Sequence, residues 1–447
     1  MPLYKFLFIL ILLPFFSNGQ TQQEKIDGLI TSYQDLNYFN GTVLISRGGK
    51  VIFDKAYGYQ NYKTSTFNSA ESVFQIGSLT KPFTSMIILK LAEGKKLSLQ
   101  DRLQSYFPEF KYGSDITIEQ LLTHTSGVYE NYKKQGPEIL FTNRTISAQE
   151  ISREIFSHPL NFSPGSRFSY SNSGYNLLGL IIEKVTGSTY KNAVNQYIFK
   201  PAGMKNSGYN FQKLKSRLKT TNYSYWSATQ HLEEPVWNPA ATFSSGALYS
   251  TSRDLYKWYQ SIRDNKIISK EATTRATTTF KDGYGYGWFI DSLYKKKIVS
   301  HGGNIEGATS YFLMDPVDDI CIILLNNINN VKLERVGNTI LGILLDKPYS
   351  IPRQKQAIQL DEQTLDKFVG NYELSENHFV IVSKEGAQLY IEIDGEKRLK
   401  IFPEKAKSFF IPGEDIDVNF VSDQDGVKQV RIRRGLLTRI GDKVKAL

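Results

Sequence analysis

The sequence predicts an α/β (α+β) fold in two parts: an antiparallel sheet flanked by helices, with a helical subdomain inserted into it, then a small C-terminal all-β domain. Strand-like runs occupy 41–57, turning at Gly48-Gly49, and recur at 284–291, 297–300, 311–315 and 320–326. Between them, 78–206 reads as mainly helical, so the sheet is assembled from both ends of the larger domain, with a cleft expected where sheet and helices meet. After about residue 360 the texture changes to short alternating runs at 379–382, 388–393, 400–402, 409–411, 417–421 and 429–433. Glu385-Gly386, Asp394-Gly395 and Asp425-Gly426 separate several of these, which argues for an antiparallel meander or small barrel.

In chain order, 1–19 reads as a signal peptide, with Lys5, an apolar core at 6–13 and Ser17-Asn18-Gly19 before Gln20. Its apolar run is too short for a favourable membrane span, and no cysteine stands where a lipoprotein would need one. A helix is expected over 22–38, within a main domain spanning 20–346 that closes with a helix at about 331–345. Pro348 and Pro352 mark 347–360 as a linker, and 361–447 forms the β-rich domain. At 447 residues and 40% hydrophobic content the chain can bury a sizeable core.

The formal charge of +10 is scattered rather than gathered into a nucleic-acid-binding motif, so no nucleic-acid partner is expected. Cys321, the single cysteine, lies in an apolar run and reads as an inert core thiol, which excludes an intramolecular disulfide. His158, His231 and His378 lack ligand spacing, so no metal site and no cofactor are expected.

Three short motifs carry chemistry. Ser78-Leu79-Thr80-Lys81 follows Gly77 and precedes the apolar run 86–89. Positions i and i+3 share a helix face, so the Lys81 amine can reach the Ser78 hydroxyl, and burial would lower its pKa enough for it to act as a base. The helix N-terminus offers amide N–H groups to an oxyanion. The same spacing recurs at Ser188/Lys191, Ser216/Lys219 and Ser292/Lys295, so Ser78 is singled out by its glycine, its apolar flanks and the two motifs later in the chain. Tyr170-Ser171-Asn172 places a phenol that can relay a proton beside an amide that can hold a substrate carbonyl or orient Lys81. The other reading is a packing tyrosine and a helix-capping asparagine. His301-Gly302-Gly303-Asn304 would let a substrate backbone approach a strand at Gly303, with the Asn304 N–H as second oxyanion donor beside that of Ser78. His301 is read either as a group facing a substrate carboxylate or proton network, or as a structural hydrogen-bonder.

Taken in order, S-x-x-K, Y-x-N and H-G-G resemble the serine β-lactamase-related family: class C β-lactamases, D-Ala-D-Ala carboxypeptidases, low-molecular-weight penicillin-binding proteins, D-aminopeptidases and related esterases. Thr117-Ile-Glu-Gln-Leu-Leu-Thr-His124-Thr-Ser-Gly127, Pro201-Ala-Gly-Met204 and Ser245-Gly-Ala-Leu extend the resemblance from about residue 40 to 345. It implies a β-lactamase/transpeptidase-like fold, Ser78 as acylated nucleophile, Lys81 taking or directing its proton, Tyr170 protonating the leaving group and activating water, and Asn172 binding substrate. Histidine replaces the lysine of the usual K-T-G motif, so fast β-lactam turnover is not implied. His124 is read as mainly structural. The C-terminal segment is similar to the lipocalin-like domain of some relatives. The expected activity is hydrolysis of peptide-like amides, of D-amino-acid peptides or cell-wall fragments, carboxypeptidase- or aminopeptidase-like, in the periplasm or outside the cell. A β-lactamase or small-ester hydrolase is the alternative, and a non-hydrolytic penicillin-binding or sensing protein the second. Small molecules or peptides are the expected substrates, with a homo-oligomer through the C-terminal domain as a further expectation.

Overall fold

The computed structural model describes residues 20–130, 147–227, 229–236, 238–305, 307–329, 331–375, 378–395, 398–412, 416–434 and 437–444, so the expected signal peptide lies outside the described residues. Helix α1 (Gln22–Asp35) starts at a capping box, with Thr21 and Glu24 satisfying each other's backbone N–H groups. It buries Ile26, Leu29 and Ile30 on one face of an antiparallel sheet.

That sheet holds β1 (Gly41–Arg47), β2 (Lys50–Ala56), β3 (Phe289–Leu293), β4 (Lys296–Ile305), β5 (Ala308–Asp315) and β6 (Ile320–Asn326). Its spatial order is β3-β4-β5-β6-β1-β2, so the two ends of the domain meet where β6 pairs with β1, Gly41 opposite Asn326. The sheet is apolar on both faces, and the period of two sorts its residues. Ile298, Leu313, Ile320, Ile322 and Leu324 pack with α1 and with α5 (Leu333–Leu344). Val299, Phe312, Met314, Cys321, Ile323 and Leu325 face the core shared with α2 (Thr80–Glu93), α3 (Asn172–Thr186) and α4 (Ser252–Arg263). Cys321 is fully buried and its thiol pKa is pushed up by that burial, as its apolar run anticipates.

Two strand boundaries differ from the sequence reading. The strand expected at 284–291 is Phe289–Leu293, because 281–284 makes a turn first. The strand expected to end at Ser300 continues through Gly302-Gly303 to Ile305, paired throughout with β5. β3 stops opposite Ser300, so His301 to Ile305 run past it with no strand on that side among the described residues.

The C-terminal part is a closed barrel of eight strands, from Gly370–Ser375 to Leu437–Val444. Tyr372, Val380, Leu389, Ile401, Phe409, Val418, Phe420 and Val430 fill its interior. The 353–358 stretch lies against the barrel instead of running free: Ile358 N–H donates to the Pro403 carbonyl, Arg353 pairs with Glu404, and Lys355 joins Arg433 on the Asp417 carboxylate.

Candidate active site

Ser78 sits in a single 3-10 turn, Gly77–Leu79, that leads directly into α2. The turn depends on glycine twice. Gly77 has φ +50°, and a Cβ there would lie 2.9 Å from the Asn304 backbone nitrogen. A Cβ on Gly303 would lie 1.9 Å from the Ile76 carbonyl oxygen, so the close approach that Gly303 permits is between β4 and the turn that carries Ser78. Ser310 Oγ donates to the same carbonyl at 2.7 Å, which ties β5 to the turn as well.

Lys81 is fully buried one turn along α2. Its Nζ lies 3.1 Å from Ser78 Oγ, 2.7 Å from Asn172 Oδ1 and 3.0 Å from the Ser245 carbonyl oxygen. Burial lowers its pKa to about 7, against a weaker upward pull from the Glu130 carboxylate. A neutral amine has two N–H donors and one lone pair. Asn172 Oδ1 and the Ser245 carbonyl can only accept, so they take the donors and leave the lone pair for the Ser78 hydroxyl proton.

Tyr170, half-buried just before α3, lines one cavity with Ser78, and its ring centroid is 4.7 Å from Lys81 Nζ. Burial raises the phenol's pKa, so it stays protonated at neutral pH and can donate. Ser171, not Asn172, caps α3: its hydroxyl accepts from Gly174 N–H at 3.0 Å, which frees the Asn172 side chain for Lys81.

His301 is buried, and both ring nitrogens have partners in the protein. Nδ1 lies 2.6 Å from its neighbour's carbonyl at Gly302, and Nε2 lies 3.3 Å from the Tyr284 hydroxyl. A carbonyl only accepts, so Nδ1 carries the proton and Nε2 accepts from Tyr284. Burial and the nearby Lys81 charge drive its pKa down to about 3, so the ring is neutral.

Ser78, Tyr170, His301, Gly303 and Asn304 line one cavity of about 820 Å³ that continues past the end of β3 toward the start of α5. Asp282, Asp291 and Glu334 stand on its walls with Lys332. Among the described residues no cluster of His, Cys, Asp or Glu could hold a metal ion.

The motifs thus meet around one serine, and the β-lactamase family model matches residues 26–345. The chain belongs to the β-lactamase family. It is therefore a serine hydrolase in class, with the β-lactamase/transpeptidase-like fold. It is 28% identical to penicillin-binding protein 4* of Bacillus subtilis (strain 168) over 442 residues, 92% of this chain and 96% of that protein. The octameric penicillin-binding protein homologue from Pyrococcus abyssi superposes with a TM-score of 0.68 at 24% identity, covering 93% of this chain and 99% of that one. A D-stereospecific amidohydrolase from Streptomyces sp. gives a TM-score of 0.60 at 26% identity, over 68% of this chain and 93% of its own.

Three groups in this β-lactamase-family site leave no mark in the sequence. The Ser245 contact is a main-chain atom. Glu130, buried and accepting from Ser173 N–H at 3.4 Å, lies three residues beyond Gly127 with no spacing to single it out. Tyr284, expected in a strand, instead closes off His301.

Proposed function

We propose that the protein is a secreted or periplasmic serine hydrolase that forms an acyl-enzyme at Ser78 and cleaves peptide-like amides carrying D-residues. The observation that carries this reading is the buried Lys81 amine, 3.1 Å from Ser78 Oγ with its two N–H donors already taken. Ser78 Oγ attacks the carbonyl as its proton passes to Lys81. The Ser78 and Asn304 N–H groups receive the oxyanion, and the Tyr170 phenol protonates the departing nitrogen. Water then enters along the same proton path and releases the acyl group.

The resemblance left carboxypeptidase-like and aminopeptidase-like hydrolysis open, and the electrostatics favour the second. A neutral His301 with both nitrogens engaged offers no cation to a substrate carboxylate, and Asp282, Asp291 and Glu334 outnumber Lys332 on the described cleft walls. Substrates with a free amine beside the scissile amide fit that field. The amidohydrolase from Streptomyces sp., D-stereospecific by name, supports the same preference. Cleavage of 1–19 as a signal peptide would place the enzyme outside the cytoplasm, and no described helix is long and apolar enough to cross a membrane. The octameric state of the Pyrococcus abyssi homologue supports assembly of this chain into a homo-oligomer, with the barrel as the expected contact.

Intact-protein mass spectrometry after a fluorophosphonate probe and, separately, a fluorescent penicillin tests the nucleophile, with Ser78→Ala as control. The expected result is fluorophosphonate labelling that requires Ser78, with penicillin adducts absent or decaying. Labelling that survives Ser78→Ala, or no labelling by either reagent, would reject the mechanism.

A further inference from the structure

The strongest feature left unused by the mechanism is His124. We propose that His124 is a positioning residue for Tyr170, gripping the backbone on both sides of the phenol through its own carbonyl and the acceptor Nδ1 of its ring. The proposal rests on the hydrolase reading above, in which Tyr170 donates the leaving-group proton.

The geometry is specific. The His124 carbonyl accepts the Ser169 N–H at 2.9 Å, and its ring Nδ1 accepts the Ser171 N–H at 2.9 Å. The residues before and after Tyr170 are thus anchored to one side chain and one carbonyl of the same residue. The ring centroid also lies 4.3 Å from that of Tyr170, 4.7 Å from Tyr284 and 5.0 Å from Tyr175, so the phenol cannot tilt toward it. A backbone N–H can only donate, which makes Nδ1 the lone-pair nitrogen and puts the proton on Nε2. Burial, which disfavours a charged ring, holds the His124 pKa well below the usual range and preserves that acceptor.

Two features argue against a purely structural turn residue. His124 has φ +57°, a left-handed conformation that Gly or Asn adopts more readily. Its Nε2 is buried with no hydrogen-bond partner among the described residues. A glycine would meet the turn's backbone needs without strain and without an orphaned donor but would leave the Ser171 N–H without the ring's acceptor, so both features go with what the side chain does at Ser171.

The test uses the full chain with D-phenylalanine 4-nitroanilide, whose leaving nitrogen must be protonated, and D-phenylalanine 4-nitrophenyl ester, whose leaving group departs as an anion. His124→Phe keeps the ring and removes the acceptor. His124→Asn restores an acceptor oxygen where Nδ1 stood and suits the left-handed backbone. Small misplacement of a catalytic group costs on the order of 10²-fold, so His124→Phe is expected to lower kcat on the anilide about 100-fold and on the ester about tenfold or less, with KM within about twofold. His124→Asn is expected to recover the anilide rate to within about fivefold of wild type. Equal losses on the two substrates would overturn the proposal, as would an asparagine variant as slow as the phenylalanine one with native circular dichroism. Where His124→Phe does not fold, the asparagine variant decides alone: retained anilide turnover supports the clamp, and its loss in a folded protein refutes it. Turnover that persists in Ser78→Ala would overturn the hydrolase reading and this inference together.

Discussion

The two parts of the molecule solve opposite packing problems. Around Lys81 the chain buries an amine, a carboxylate, two histidines and several hydroxyls, each held by a specific partner such as Asn172 or Tyr284. Inside the barrel it buries apolar side chains almost alone, with Phe368, Phe409 and Phe420 in contact through their rings. Buried polar groups cost stability unless satisfied, so they collect where chemistry requires them. The barrel, with its interior filled, has its charged groups outside, in clusters such as Lys355, Asp417 and Arg433. Function in this chain is thus expected to be sensitive to single atoms in one part and tolerant in the other.

The largest break of that contrast is Lys81→Met, which removes the proposed base. It is expected to lower kcat by about 10²- to 10⁴-fold while far-UV circular dichroism still reports an intact barrel, as steady-state kinetics on the anilide will check. Next in size is pH. Lys81 must be neutral to accept a proton, so kcat/KM is expected to rise about tenfold per pH unit up to an apparent pKa near 7 and level above it. Stability carries the same sign. The folded Lys81 loses its proton near pH 7 and the unfolded one only near the ordinary lysine value of 10.5, so between these values the unfolded chain binds more protons and folding gains as pH rises. Urea unfolding from pH 7 to 9 should show wild type gaining on Lys81→Met, and parallel curves would refute it.

A smaller effect is expected at Gly303→Ala, which pushes β4 away from the Ile76 carbonyl. It should cost about 1–3 kcal/mol in urea unfolding, as overpacking does, and about tenfold in kcat. Asp417→Asn should be mildest, weakening the contacts to Lys355 and Arg433 by about 1–2 kcal/mol. All four tryptophans precede the barrel, so tryptophan fluorescence should report an unchanged transition while circular dichroism shifts, with kcat within about twofold of wild type.

Much of this was legible in the chain itself. Helix spacing placed Lys81 beside Ser78, and the order of the three motifs anticipated Tyr170 and His301 in one cleft with Ser78 and Asn172 on the Lys81 amine. The hidden features stayed hidden for physical reasons. The state of His301 depends on a carbonyl one residue on and a hydroxyl from another loop, and neither leaves a periodic mark. Six runs of the barrel were readable, but its first and last strands were not. Tyr372 points inward between polar neighbours, and the closing pair Tyr372↔Lys443 unites segments far apart in sequence. β4 outran its expected end at Ser300 because two glycines carry no apolar alternation to prolong a strand, whereas pairing with β5 holds them extended.

The Ser245 carbonyl has a consequence for how this enzyme would look to a geneticist. One of the two fixed acceptors that hold the Lys81 amine belongs to the main chain, and no codon change can delete it. Saturation mutagenesis at position 245 would report on the small buried hydroxyl, which donates to the Thr242 carbonyl, and not on the atom that touches the Lys81 amine. A residue can thus score as replaceable in a mutational map while one of its atoms still holds the Lys81 amine, and that part of the proposed catalytic apparatus is shielded from drift.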